Sequence, residues 1–219
     1  MKLNLPNILS LFRIIISPVI FYLIISEDSF LVKLGCILFF IGSMTDYVDG
    51  WVARKFRIES SSGKFLDPLA DKFLTASAFF AFFAIKIVVL WMILIIIIRD
   101  IFNTFLRFYA DSINQPIKTM YSAKVKTSLQ MLFIAYILVL LYLKNLSYQF
   151  ITANDINTLI YSLSTFIVML ILTLITVWTF LQYINKNHLV VASLIRVDEK
   201  NLRKIFDFIF NPFGNRSQS

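Results

Sequence analysis

The sequence predicts an all-α, polytopic membrane protein with six transmembrane helices and an amphipathic C-terminal tail helix, on three observations. Of 219 residues, 58% are hydrophobic and 16% charged, with a mean hydropathy of +0.77. That leaves too little polar surface to clothe a soluble domain. Glycine and proline number only five each, which favours long helices over a loop-rich chain or a barrel. Long apolar runs recur, such as 79–83 and 90–98. The chain has room for about six spans of the ~20 residues that a ~30 Å hydrocarbon core requires.

The spans are expected at 11–25, 30–45, 73–87, 89–105, 125–143 and 159–183. The first is short, with Arg13 near its start, and no small-residue cleavage site follows it, so it is expected to stay as a helix. The second and third are expected to run past the membrane as one helix each, with polar ends between Asp46 and Lys72. Ser60-Ser61-Ser62-Gly63 is the break between them. Arg99 and Arg107 flank the end of the fourth span, and Lys118, Lys124 and Lys126 begin the fifth. Beyond the sixth, Leu202, Ile205, Phe206, Ile209 and Phe210 recur at helical spacing beside Arg196, Lys200, Arg203 and Lys204. That pattern reads as an interfacial amphipathic helix. Residues 1–192 are thus expected to form one membrane domain and 193–219 a basic cytoplasmic tail.

Charge orients the chain. Of 21 lysines and arginines, only Lys33, Lys86 and Lys144 fall on the side away from the amino terminus. The other face, with both termini, is therefore expected in the cytoplasm. The net charge of +8 suits anionic lipid headgroups, and no nucleic acid is expected as a partner. Cys36 reads as a small buried hydrophobe and His188 as a surface residue.

The chemistry lies in Asp46-Tyr-Val-Asp49-Gly50-Trp-Val-Ala53-Arg54, followed after eight residues by Gly63-Lys-Phe-Leu-Asp67-Pro-Leu-Ala-Asp71. Asp46 and Asp49 are three apart and Asp67 and Asp71 four apart, so each pair shares one helix face. A carboxylate at mid-membrane costs ~2.5–3.5 kcal/mol on insertion scales, so four would cost on the order of 10 kcal/mol. The cost falls at the membrane edge, yet four converging carboxylates still repel. Two divalent cations would balance them, and oxygen ligands without His or Cys point to Mg²⁺ or Mn²⁺ rather than zinc. Such ions commonly meet phosphate groups. Small residues at 50, 53 and 63 let a nucleotide diphosphate approach the backbone, and Arg54 adds a forked donor.

The pattern D-x2-D-G-x2-A-R-x8-G-x3-D-x3-D, matched by Asp46, Asp49, Gly50, Ala53, Arg54, Gly63, Asp67 and Asp71, resembles the signature of the CDP-alcohol phosphatidyltransferases. The resemblance implies six transmembrane helices, a homodimer, and a polar cavity facing the cytoplasm from a bacterial inner membrane. It implies two metal ions on Asp46, Asp49, Asp67 and Asp71, with Asp71 also the general base. Asn7, Asp49, Gly50, Ala53, Arg54 and Gly63 would hold the CDP-lipid. Direct attack by an acceptor hydroxyl, with CMP leaving, is the expected reaction, because no Ser-His pair supports a covalent route.

The acceptor is read from the basic residues. Arg99 and Arg107 are two helical turns apart and face the same way, as Asn103 and Thr104 roughly do. With Lys124 and Lys126 they suit an acceptor that carries its own phosphate. The segments 99–107 and 123–130, and the opening Asn4-Leu-Pro-Asn7-Ile-Leu-Ser10-Leu-Phe-Arg13 with Pro18, resemble the bacterial phosphatidylglycerophosphate synthases. That resemblance implies CDP-diacylglycerol as donor and glycerol 3-phosphate as acceptor. Inositol phosphate, phosphatidylglycerol (a cardiolipin synthase) and serine remain alternative acceptors. A transporter is the reading from another class, but the carboxylates cluster at one membrane edge and not at the midplane of broken helices.

Overall fold

Apolar runs with little Gly or Pro form, among the described residues, six long helices and two short ones. They are α1 (Leu5–Ile24), α2 (Ser29–Phe56), α3 (Gly63–Ala84), α4 (Leu90–Ser112), α5 (Tyr121–Lys144), α6 (Ala153–Ile160), α7 (Leu163–Lys186) and α8 (His188–Ile195). The computed structural model describes residues 5–56, 63–113, 115–117, 120–146 and 152–195, with 5–7, 46–56, 63–65 and 195 described as backbone alone. At 1.5 Å per residue, even the 20-residue α1 reaches ~30 Å, the thickness of a hydrocarbon core. Tyr121–Lys144 and the stretch Ala153–Lys186 are long and apolar enough to cross a bilayer.

Each predicted span falls, in order, on one of the six long helices. As expected, α2 continues to Phe56 and α3 starts at Gly63. The sixth span needs correction. The predicted 159–183 segment is interrupted, because α6 ends at Ile160 and Ser162 caps α7 by accepting from the Thr165 amide at 3.3 Å. Thr152 and Asp155 form a capping box that opens α6. These caps satisfy amides that a helix start leaves unpaired, and apolar periodicity carries no trace of them. Of the predicted tail helix only 193–195 is described, as the end of α8; residues 196–219 lie outside the described residues.

The long helices alternate in direction, so the starts of α1, α3 and α5 meet the ends of α2, α4 and α7 at one end of the bundle. At the other end the Tyr161 hydroxyl donates to the Ile85 carbonyl at 2.9 Å. One large apolar cluster joins α1 to α7, with Phe79 of α3 stacked on Phe133 of α5 at 6.5 Å. A smaller cluster around Leu106, Tyr109, Tyr183 and Val190 docks α8 onto α4 and α7. The outside is apolar too: Tyr22, Phe30, Ile98, Leu132, Leu163 and Trp178 are all more than half exposed. Meanwhile Arg99, Asp100, Lys126 and Gln130 are buried. Lipid outside and a polar site inside account for this inversion of the usual soluble pattern.

The seam between α1 and α2 depends on Gly35. A Cβ there would stand 2.9 Å from Leu23 Cβ and 3.2 Å from the Ile24 backbone nitrogen, which cannot swing aside. Gly35→Leu is therefore expected to cost about 1–3 kcal/mol as overpacking. Thermal melting in detergent reads this directly, and an unchanged melting temperature would show that the seam yields freely.

Candidate active site

The shared end of the bundle gathers the polar side chains. Near the start of α1, the buried Ser10 hydroxyl donates to Asp67 Oδ1 of α3. Asp67 and Asp71 are both partly buried and lie one turn apart on α3. Lys72, next along, places Nζ 3.5 Å from Asp71 Oδ2 and 3.8 Å from Asp100 Oδ2 of α4. The last turns of α2 carry Asp46, Asp49, Gly50, Ala53 and Arg54, and Gly63 opens α3. The side chains of these residues, and that of Asn7, lie outside the described residues.

Asp100 organises the inner wall. It accepts from Lys126 Nζ at 2.8 and 3.0 Å and from Arg99 Nη1 at 2.9 Å. Arg99 reaches on to the Thr179 hydroxyl of α7 at 3.2 Å, and Lys126 also donates to Gln130. A charge this deep is tolerated only when paired, so this network ties α4 to α5 and α7. It also reassigns Lys126, which the sequence placed among the acceptor contacts. Only 1% exposed, it is committed to Asp100 and Gln130, behind the wall.

In front of that wall opens a cavity of about 380 Å³. Among the described residues, Asp71, Lys72, Arg99, Asp100, Arg107 and Lys124 supply its charged lining. Asn103, Thr104, Thr127, Ser128 and Tyr183 add neutral polar groups. Four cations against two carboxylates leave the lining two positive charges in excess. Arg99, Arg107 and Lys124, predicted as acceptor contacts, thus share one cavity with Asp71. Tyr183 and Thr179 were not anticipated, for they sit in an apolar helix far along the chain and only tertiary packing brings them here.

Several groups on this wall are poised but unpaired. Arg99 Nε, Asn103 Oδ1, Arg107 Nε and the Tyr183 hydroxyl are buried and have no hydrogen-bond partner among the described residues. Each such group costs about 1–3 kcal/mol. Their convergence on one cavity is the mark of a site that completes its hydrogen bonds with a ligand.

A second cavity of about 700 Å³, lined mainly by apolar side chains such as Pro18, Phe21, Phe73, Phe80 and Ile97, backs onto the same Lys72–Asp100 pair. The larger space has apolar walls, while the charged side chains line the smaller one.

The carboxylates suit a divalent metal. Asp67 and Asp71 offer hard oxygen donors, and no His or Cys lines either cavity. Among the described residues no three His, Cys, Asp or Glu side chains gather. Asp46 and Asp49 would have to complete the set.

The chain matches the family model described as CDP-alcohol phosphatidyltransferase over residues 3–182. It is similar to proteins named CDP-diacylglycerol–glycerol-3-phosphate 3-phosphatidyltransferase in three bacteria. The Bacillus subtilis protein is 32% identical over 161 residues, 68% of this chain and 81% of the relative. The Rickettsia typhi protein is 37% identical over 128 residues, 58% of this chain and 72% of the relative. The Haemophilus influenzae protein is 32% identical over 196 residues, 84% of this chain and 93% of the relative.

Proposed function

We propose that this chain, which belongs to the CDP-alcohol phosphatidyltransferase family, transfers the phosphatidyl group of CDP-diacylglycerol to glycerol 3-phosphate. CMP is released, and the product is phosphatidylglycerophosphate. The observation that carries the acceptor is the cavity itself, where Asp71 shares a wall with Arg99, Arg107 and Lys124. The cations that line it among the described residues suit a phosphate-bearing acceptor. Serine would leave their charge uncompensated, and about 380 Å³ of charged space suits a small acceptor better than a second diacyl lipid.

In this reading the acceptor phosphate lies against Arg99, Arg107 and Lys124, which points its terminal hydroxyl toward Asp71. The Asp71 carboxylate takes the hydroxyl proton, and the oxygen attacks the phosphorus that bears diacylglycerol. The new P–O bond forms as the bond to CMP breaks, and CMP leaves with the former bridging oxygen. Two divalent cations, Mg²⁺ or Mn²⁺, held by Asp46, Asp49, Asp67 and Asp71, would supply Lewis-acid stabilisation of phosphate charge. Asn7, Asp49, Gly50, Ala53, Arg54 and Gly63 are assigned to the CDP moiety on the matched motif, and the apolar cavity beside Lys72 suits the acyl chains.

The same reading makes the six long helices transmembrane, with residues 193–219 as an interfacial tail. The site would open to the cytoplasm from a bacterial inner membrane, in a homodimer. Support for the orientation comes from the lysines and arginines concentrated at the site end; support for the dimer is the family resemblance.

The test is CMP release by purified protein given CDP-diacylglycerol, Mn²⁺ and a panel of acceptors. Glycerol 3-phosphate is expected to be used fastest; fast release with serine, inositol phosphate or phosphatidylglycerol, and none with glycerol 3-phosphate, would overturn the assignment. Within that assay Arg107→Ala removes a charged hydrogen bond worth about 1.5–3 kcal/mol. The glycerol 3-phosphate requirement should rise by roughly 10- to 150-fold, while the donor requirement moves little. If both requirements stay put, Arg107 only anchors the helix end.

A further inference from the structure

The arginines of the acceptor cavity are spaced by a residue of different character. Arg99, Asn103 and Arg107 stand at successive turns of one face of α4, and all three line the cavity. Asn103 is 8% exposed, and its Oδ1 has no hydrogen-bond partner among the described residues. The neighbouring unpaired groups, Arg99 Nε, Arg107 Nε and the Tyr183 hydroxyl, can all donate a hydrogen bond. A phosphate dianion satisfies donors. It has no proton for a carbonyl oxygen, so Asn103 Oδ1 would be left unpaired beside a bound phosphate alone, and a hydroxyl on the same ligand would complete it. The group that completes this wall must carry a hydroxyl as well.

We infer that Asn103 is a specificity-determining residue that reads the second hydroxyl of the acceptor. This rests on the function proposed above. Glycerol 3-phosphate has two hydroxyls, and the terminal one is consumed in attack from the Asp71 side. The C2 hydroxyl lies between it and the phosphate, and Asn103 lines the same cavity as Asp71 and both arginines. With Oδ1 the unpaired atom, the amide accepts the proton of that hydroxyl. The chemical class selected is a phosphorylated diol, in preference to a phosphorylated simple alcohol.

The experiment compares glycerol 3-phosphate with 3-hydroxypropyl phosphate, which lacks only the C2 hydroxyl, in wild type and Asn103→Leu. Wild type is expected to favour glycerol 3-phosphate by roughly 5- to 150-fold in kcat/KM, the range for leaving a buried polar group unpaired. In Asn103→Leu the ratio should fall toward one, and the fall should come from glycerol 3-phosphate. Asn103→Ala is read in the same way should the leucine fail to fold. A ratio that stays at its wild-type value while both acceptors decline together would make Asn103 a packing residue and overturn the inference. So would a wild type that does not distinguish the two acceptors. Failure of the function reading looks different, for then wild type releases no CMP with either compound while another acceptor works.

Discussion

Asp67→Asn is expected to reduce turnover by at least about 10²–10³-fold, the scale for losing one preorganised electrostatic contact, while the protein stays folded in detergent. Asparagine keeps the shape of aspartate and an oxygen for the Ser10 hydroxyl, so the seam between α1 and α3 survives. What it loses is the negative charge and one hard donor, the properties a divalent cation requires. The loss should therefore appear first in Mn²⁺ binding, measured by electron paramagnetic resonance on purified protein without substrate. Turnover and Mn²⁺ affinity both at wild-type levels would remove Asp67 from the metal site.

Asp71→Asn is expected to lower turnover by roughly 10²–10⁴-fold, the range for losing a general base, yet spare CDP-lipid binding more than Asp46→Asn does. The reason is position. Asp71 lines the acceptor cavity, whereas Asp46 belongs to the end of α2, on the side assigned to the donor. Titration of CDP-diacylglycerol binding alongside single-turnover CMP release separates the two effects. Equal losses of binding and turnover would make Asp71 chiefly a ligand and leave the proton without an acceptor.

The carboxylate pairs proposed for the donor side stand out in the sequence because their signal is local. Asp46 and Asp49, and Asp67 and Asp71, are each within one helical turn, so spacing alone places each pair on a face. The long polar ends of α2 and α3 follow from the same segment, since charged residues continue a helix past an apolar run without breaking it. The sixth span was drawn across the break at 161–162 because a run from 159 to 183 reads as uninterrupted by apolarity. The caps at Thr152 and Ser162 are hydrogen-bonding facts that hydropathy does not record.

The acceptor side divides between what is written along the chain and what is not. Arg99, Asn103 and Arg107 announce a common face by their spacing, and Lys124 falls on the neighbouring helix. The chain could not say which of these cations faces the ligand. Lys124 and Lys126 are two residues apart and indistinguishable as sequence, yet Lys124 lines the cavity while Lys126 is sealed against Asp100. Tyr183 and Thr179 were invisible for the same reason, as they meet α4 only when α7 packs against it. The sequence by itself determined the helical class and the polar end of the bundle, both set by composition and by spacing within a turn. Tertiary structure alone decided which cation is counterion to Asp100 and which lines the cavity. Burial and distance to Asp100 govern that choice, and both depend on how α4, α5 and α7 pack.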